Sequence, residues 1–256
     1  MTTLTLLRAV ARKQALLLVR YPLNTVSQVF GLYVFFLLLF YGGQAVGGAA
    51  FDESLGGLVV GFFLFTMAVV AYAGLSWDVT REAQWGTLEQ LFMSPHGFGR
   101  VFAVKVVVNV LFSLLWGGLI LGLMLLTTGR TLVVDLFTVV PLALLTLASA
   151  VGVGFVFGGL ALVYKRIENV FSLVQFAFVG LIAAPLGQYP FLRWLPLAQG
   201  SSLLGRAMRE GVRLWEFEPS ALAVLSGTAV AYLLVGYVLF GLASRRARRL
   251  GVLGHY

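Results

Sequence analysis

Six stretches of this chain contain no Asp, Glu, Lys or Arg: Tyr21 to Phe51, Ser54 to Trp77, Val106 to Gly129, Leu136 to Tyr164, Asn169 to Leu192 and Pro219 to Ser244. A helix of about 20 apolar residues crosses the roughly 30 Å of bilayer hydrocarbon, and each stretch is long enough. Backbone amides in hydrocarbon must be satisfied within a helix or around a closed barrel. These runs are continuously apolar rather than alternating, which argues against a barrel and predicts six transmembrane helices. Only 11% of the 256 residues are charged and 60% are hydrophobic, too little charge to cover a soluble domain of this size. The expected fold is an all-α integral membrane protein whose residues 1–256 form a single transmembrane domain.

The net charge of +8 is concentrated beside the apolar stretches, where it reports topology. Arg8, Arg12, Lys13, Arg20, Arg81, Arg100, Lys105, Lys165, Arg166, Arg245, Arg246, Arg248 and Arg249 fall on one side of a six-span arrangement. The other side holds Arg130, Arg193, Arg206, Arg209 and Arg213. The excess predicts a multi-pass protein of the cell membrane with both termini cytoplasmic. In residues 1–20, Leu4, Leu7, Ala11, Ala15 and Leu18 make an apolar stripe opposite Arg8 and Arg12, the pattern of a helix lying in the interface. Tyr21-Pro22 then turns the chain into the membrane. Residues 245–256 form a basic tail, read as an anchor on lipid phosphates rather than a nucleic-acid site.

Little in the chain resembles a reaction centre. It has no cysteine, and its histidines, His96 and His255, lie outside the apolar stretches. No Gly-x-x-x-x-Gly-Lys-Ser or -Thr loop is present to cradle a nucleotide, so no catalytic, cofactor or metal residues are assigned and the chain is not expected to be an enzyme. The apolar stretches carry no deep charge, which leaves proton coupling without a carrier; Lys105 is expected to snorkel to the interface. Polar residues repeat at helical spacing in one half of three spans: Asn24 and Gln28, Asn109 and Ser113, and Asn169, Ser172 and Gln175. Such faces need a neighbouring helix or a wetted cavity. Gly152, Gly154, Gly158 and Gly159 are read as packing positions; Phe62, Phe63 and Phe65 suit either an apolar route or a lipid face.

The segment 78–95 interrupts the apolar pattern with charge. Trp85, Leu88 and Phe92 recur at helical spacing, so a short amphipathic helix is predicted, ended by Pro95. Glu82, then Gly86-Thr87-Leu88-Glu89-Gln90-Leu91, then Ser94-Pro95, resembles the cytoplasmic segment of ABC-2 type permeases, the membrane subunits of ABC exporters. Trp85 departs from that pattern.

The resemblance implies that 78–95 is a coupling helix between spans 2 and 3, docking through Glu82, Gly86, Thr87, Leu88, Glu89, Gln90, Leu91 and Pro95 on a separate cytoplasmic ATP-binding subunit. That subunit would hold the ATP and Mg. It implies a second permease copy, with Asn24, Gln28, Asn169, Ser172 and Gln175 near the pathway or dimer axis. It also implies that 187–218 is a re-entrant outer gate, carried by Pro185, Pro190, Pro196, Arg206 and Gly211. The expected role is outward transport driven by ATP. An ATPase-independent secondary transporter or channel, or a non-transporting scaffold, would carry the same spans.

Overall fold

The computed structural model describes residues 3–52, 55–84, 87–94, 97–164 and 167–250. They form α1 (Thr3–Arg20), α2 (Pro22–Asp52), α3 (Leu55–Gln84), α4 (Leu88–Phe92), α5 (Phe98–Thr128), α6 (Leu136–Tyr164), α7 (Glu168–Ile182), α8 (Ala198–Glu210) and α9 (Pro219–Arg249). Short 3-10 turns occupy Pro190–Trp194 and Leu214–Glu216, and no strand occurs among the described residues. Among the described residues, five helices, α2, α3, α5, α6 and α9, are long and apolar enough to cross a bilayer.

The expected fifth span is where sequence and structure differ. Helix α7 has 15 residues, about 22 Å of rise, which falls short of bilayer hydrocarbon. It stops at Ile182 because Pro185 lacks an amide donor and disfavours helical geometry in the residue before it. Pro190 and Pro196 keep the following chain from resuming a long helix.

Helix directions follow from their contacts. Phe36 of α2 packs on Phe62 of α3, with ring centroids 5.3 Å apart, and Lys105 of α5 meets Glu82 of α3, so α2 and α5 run opposite to α3. Phe171 and Phe178 of α7 meet Tyr72 edge-on, while Ile182 faces Gly61. Helices α2, α5 and α7 therefore lead away from the end that holds Glu82, called the near end, and α3, α6 and α9 return to it.

Glycine determines how closely these helices approach. A Cβ on Gly152 would lie 2.8 Å from the Leu233 amide nitrogen, and one on Gly236 would lie 2.8 Å from the Gly152 carbonyl carbon. Backbone thus meets backbone between α6 and α9, as the packing reading of Gly152 and its neighbours predicts. Gly154 abuts Tyr72, and Gly158 abuts Leu75 and Phe240, which places α6 at the bundle centre beside α3. Phe62 and Phe63 are buried in this core and line neither a route nor a lipid face.

Helix α8 dips into the far end. The Leu197 amide donates to Ser149 Oγ at 3.1 Å, and a Cβ on Gly200 would sit 2.6 Å from Thr146 Cβ, so the start of α8 is wedged deep against α6. Its end returns outward, where the Val133 amide donates to the Met208 carbonyl at 2.9 Å. Leu197 takes the left-handed conformation, φ 68°, to make this reversal. The far-end segment therefore folds in against α6 and back out.

Candidate functional site

The wide end of the bundle is the near end. Helix α2 holds α3 and α5 most firmly toward the far end, through Phe36 on Phe62 and through Tyr41 Oη donating to the Thr127 carbonyl at 3.2 Å. Toward the near end it leaves the others, and α1 packs on α5 instead, with the Arg100 guanidinium donating to the Thr3 hydroxyl. Between them lies a cavity of about 770 Å³ bounded by α1, α2, α3, α5 and Gln175 of α7. That volume is within the range of small-molecule sites.

Charge closes the near-end wall. Lys105 Nζ lies 2.7 Å from Glu82 Oε1 and 3.9 Å from Asp78 Oδ2, and its side chain is only 8% exposed. Lys13 of α1 reaches the same Glu82 oxygen at 3.6 Å, and Arg81 pairs with Asp78 at 2.8 Å. Lys105 also sits over the Phe102 ring, 5.0 Å from its centroid. It turns into the bundle rather than snorkelling outward, because two acids across the interface satisfy it there. The charge-free stretches end before these residues, yet α3 runs on to Gln84 and α5 begins at Phe98. Pairing within the bundle lets both helices continue through charged positions.

Helix α3 ends where the Thr87 amide donates to the Glu82 carbonyl at 3.0 Å, the six-to-one bond of a C-terminal cap. The Thr87 hydroxyl adds a bond to Glu82 Oε2 at 2.5 Å. The single amphipathic helix expected over 78–95 is therefore split into the last turns of α3 and the short α4. Phe92 of α4 stacks on Phe98 of α5 with centroids 3.9 Å apart, Phe98 stacks on Phe240 of α9 at 5.6 Å, and Arg248 lies over the Phe92 ring at 5.5 Å. An aromatic ladder thus joins α4 to α5 and α9.

The residues expected to couple to a partner separate accordingly. Glu82 is buried and engaged by Lys105, Lys13 and Thr87, so its carboxylate is part of the bundle and not of an open docking face. Gln90 on α4 and Met93 just after it are exposed, and Leu91 is half-buried. Leu88 and Glu89 lie on α4, and Gly86 and Pro95 fall outside the described residues. Of the expected pathway set, Gln28 and Gln175 line the cavity. Asn169 and Ser172 are exposed on α7 away from it; Asn24 belongs to α2, with its side chain outside the described set. At the far end, Pro185 is exposed in the turn after α7, Pro190 starts the 3-10 turn and Pro196 is buried. Arg206 pairs with Glu210 at 3.7 Å and covers Phe217, and Gly211 caps α8 at φ 74°.

Sequence reasoning missed the Lys105, Glu82, Asp78 and Lys13 cluster. The available signal was the opposition of Lys105 to Glu82 once both helices are extended by about two turns beyond the charge-free limits. Compared with family models, curated proteins and solved structures, the chain matches none.

Proposed function

We propose that the chain is the membrane-spanning permease subunit of an ATP-driven exporter of the ABC-2 kind. In this reading it makes six crossings, with α7 and the re-entrant α8 region completing the fifth. Its termini are cytoplasmic in the cell membrane, and it works with a second permease copy and a cytoplasmic ATP-binding subunit that carries ATP and Mg. Solute moves outward, and the far-end α8 segment gates its exit.

The observation that carries the proposal is the ladder Phe92, Phe98, Phe240. A load applied at the exposed Gln90 of α4 and Met93 just after it reaches α5 and α9 through stacked rings. Glu82 acts on the inner side of the same joint, fixing the end of α3 to α5 and α1. The resemblance of Gly86 to Pro95 supplies the identity of the partner. Affinity purification of the chain from its native membrane tests this: an ATP-binding protein is recovered with the wild type, and Phe92→Ala retains that protein but loses solute-stimulated ATP hydrolysis. Recovery of no ATP-binding protein counts against the proposal.

The secondary-transporter reading keeps one specific support, the buried Lys105 and Glu82 pair on a cavity wall, since paired charges in membrane helices often serve ion coupling. Proteoliposomes separate the two. Solute accumulation driven by an imposed proton gradient without ATP, abolished in Glu82→Gln, favours the ion-coupled alternative.

A further inference from the structure

We infer that the near-end cavity binds an anionic amphiphile, a carboxylate or phosphate headgroup on an acyl chain, with the head at Lys13 and the chain running along α5 toward Ile120. Calling this amphiphile a cargo rests on the permease reading, whereas its binding does not.

The argument starts from charge balance. Among the cavity-lining groups, Asp78 is held by Arg81 at 2.8 Å and Glu82 by Lys105 at 2.7 Å, which uses both acids and leaves the third cation, Lys13, in excess. Lys13 lies 3.6 Å from Glu82, and its side chain remains 55% exposed at the mouth. A shallower hollow of about 560 Å³ shares Lys13 and Leu17 with the cavity and is lined by Arg8, Arg12 and Arg20 with no acid. Anything entering over α1 therefore passes the cationic rim that this helix makes and meets an ammonium that shares its one acid, Glu82, with Lys105. A positively charged headgroup is repelled there, and an anionic one is attracted.

The interior beyond this rim changes character within one cavity. Its deep part is walled mainly by Leu32, Val70, Phe112, Trp116 and Ile120, with Asn109, Thr66 and Gln175 as its polar groups. The Thr66 hydroxyl on that wall is occupied, donating to the Phe62 carbonyl at 2.9 Å. From Lys105 to Ile120 the wall extends about 22 Å along α5. A charged entrance followed by a long, mostly apolar recess matches a molecule with one charged end and one hydrocarbon end. A compact ion would leave the apolar recess unfilled, and an uncharged hydrocarbon would leave the cationic rim unanswered.

The neighbouring face of α5 provides an internal reference. Leu111, Leu115 and Leu119 are 55%, 60% and 46% exposed and face outward, adjacent in sequence to the cavity residues Phe112, Trp116 and Ile120. Ordinary annular lipid is expected to contact chiefly the first set.

Photolabelling tests the assignment. The full chain is placed in phosphatidylcholine nanodiscs with hexadecyl phosphate carrying a terminal diazirine, and labelled residues are mapped by mass spectrometry. Labels are expected at Phe112, Trp116 or Ile120, competed by hexadecyl phosphate but not by hexadecanol, hexadecyltrimethylammonium or inorganic phosphate. Lys13→Gln, at an exposed site that tolerates change, is expected to lower cavity labelling about threefold. Val70→Trp, checked for folding by its melting curve, is expected to remove it by filling the recess. Labelling confined to Leu111, Leu115 and Leu119, or equal competition by hexadecanol, overturns the inference. Competition by inorganic phosphate as strong as that of hexadecyl phosphate overturns it too, by making the chain irrelevant. No ATPase is present in this experiment, so cavity labelling in a protein that recruits no ATP-binding partner upholds the binding site while refuting the permease reading.

Discussion

Substitution of Gly236 by Ala separates backbone-to-backbone packing of α6 on α9 from simple apolar association. The new Cβ would fall 2.8 Å from the Gly152 carbonyl carbon, about 0.6 Å inside ordinary van der Waals contact at 3.4 Å, and that neighbour is backbone that cannot rotate away. The helices must part by at least that much. A gap of 0.5 to 1 Å forfeits roughly a quarter to a half of each dispersion contact across the seam. Overpacking in a dense core costs about 1–3 kcal/mol, and the rigid neighbour places Gly236→Ala near the top of that range. At about 2–4 °C per kcal/mol for a chain of this size, the apparent melting temperature falls by about 6–12 °C. The control lies on the same helix: Gly227 has nothing within 4 Å of its Cβ position, so Gly227→Ala leaves melting unchanged or raises it slightly. The assay is thermal unfolding of both variants in one detergent, followed by intrinsic fluorescence and size-exclusion recovery. Gly236→Ala melting within about 2 °C of Gly227→Ala refutes the close seam.

Removing one member of the buried ion cluster leaves its partner uncompensated. Lys105→Met is expected to destabilise by about 3–5 kcal/mol, and Lys105→Met with Glu82→Gln by less than either single change summed, as read in a double-mutant cycle of melting temperatures. Additive losses would show that the pair does not interact. Ser149→Ala removes the acceptor of the Leu197 amide at the strained start of α8, so about 1–3 kcal/mol is lost and hydrogen exchange at Leu197 quickens; unchanged exchange there argues that α8 does not depend on this bond. Phe92→Ala costs about 2–3 kcal/mol of stability, since it loses a stacked ring pair, half-buried apolar surface and the Arg248 contact, and it disconnects α4 from α5. Its solute-stimulated ATP hydrolysis is the measurement, and wild-type stimulation would show that force does not pass through the ladder.

Charge-free length was the most legible property. The stretches beginning at Tyr21, Ser54, Val106, Leu136 and Pro219 became the long helices α2, α3, α5, α6 and α9, because hydrocarbon leaves a continuously apolar chain few alternatives to helix. The break at Tyr21-Pro22 was also readable, as proline acts locally. Helix ends were less so. Absence of charge marks where a helix can sit in lipid without help, but Asp78, Glu82 and Lys105 neutralise each other across α3 and α5, and that pairing is invisible until the two helices lie side by side. The same limit applied to Glu82, which looks like an exposed docking residue in a short charged segment and is buried in fact. Asn169, Ser172 and Gln175 share a helical spacing, yet only Gln175 meets the cavity, since spacing gives a face and not its neighbour.

The amino-acid order alone settled that the chain is helical, apolar enough for a bilayer and divided by charged joints, because those properties depend on each segment and its solvent. Tertiary structure decided that α7 stops short and α8 folds back, that glycines set the α6 and α9 seam, and that α1 and α2 part around a cavity with a cationic mouth. Those outcomes depend on contacts between residues far apart in sequence, such as Gly152 with Gly236 and Lys13 with Glu82, whose energies exist only once the helices have chosen their neighbours.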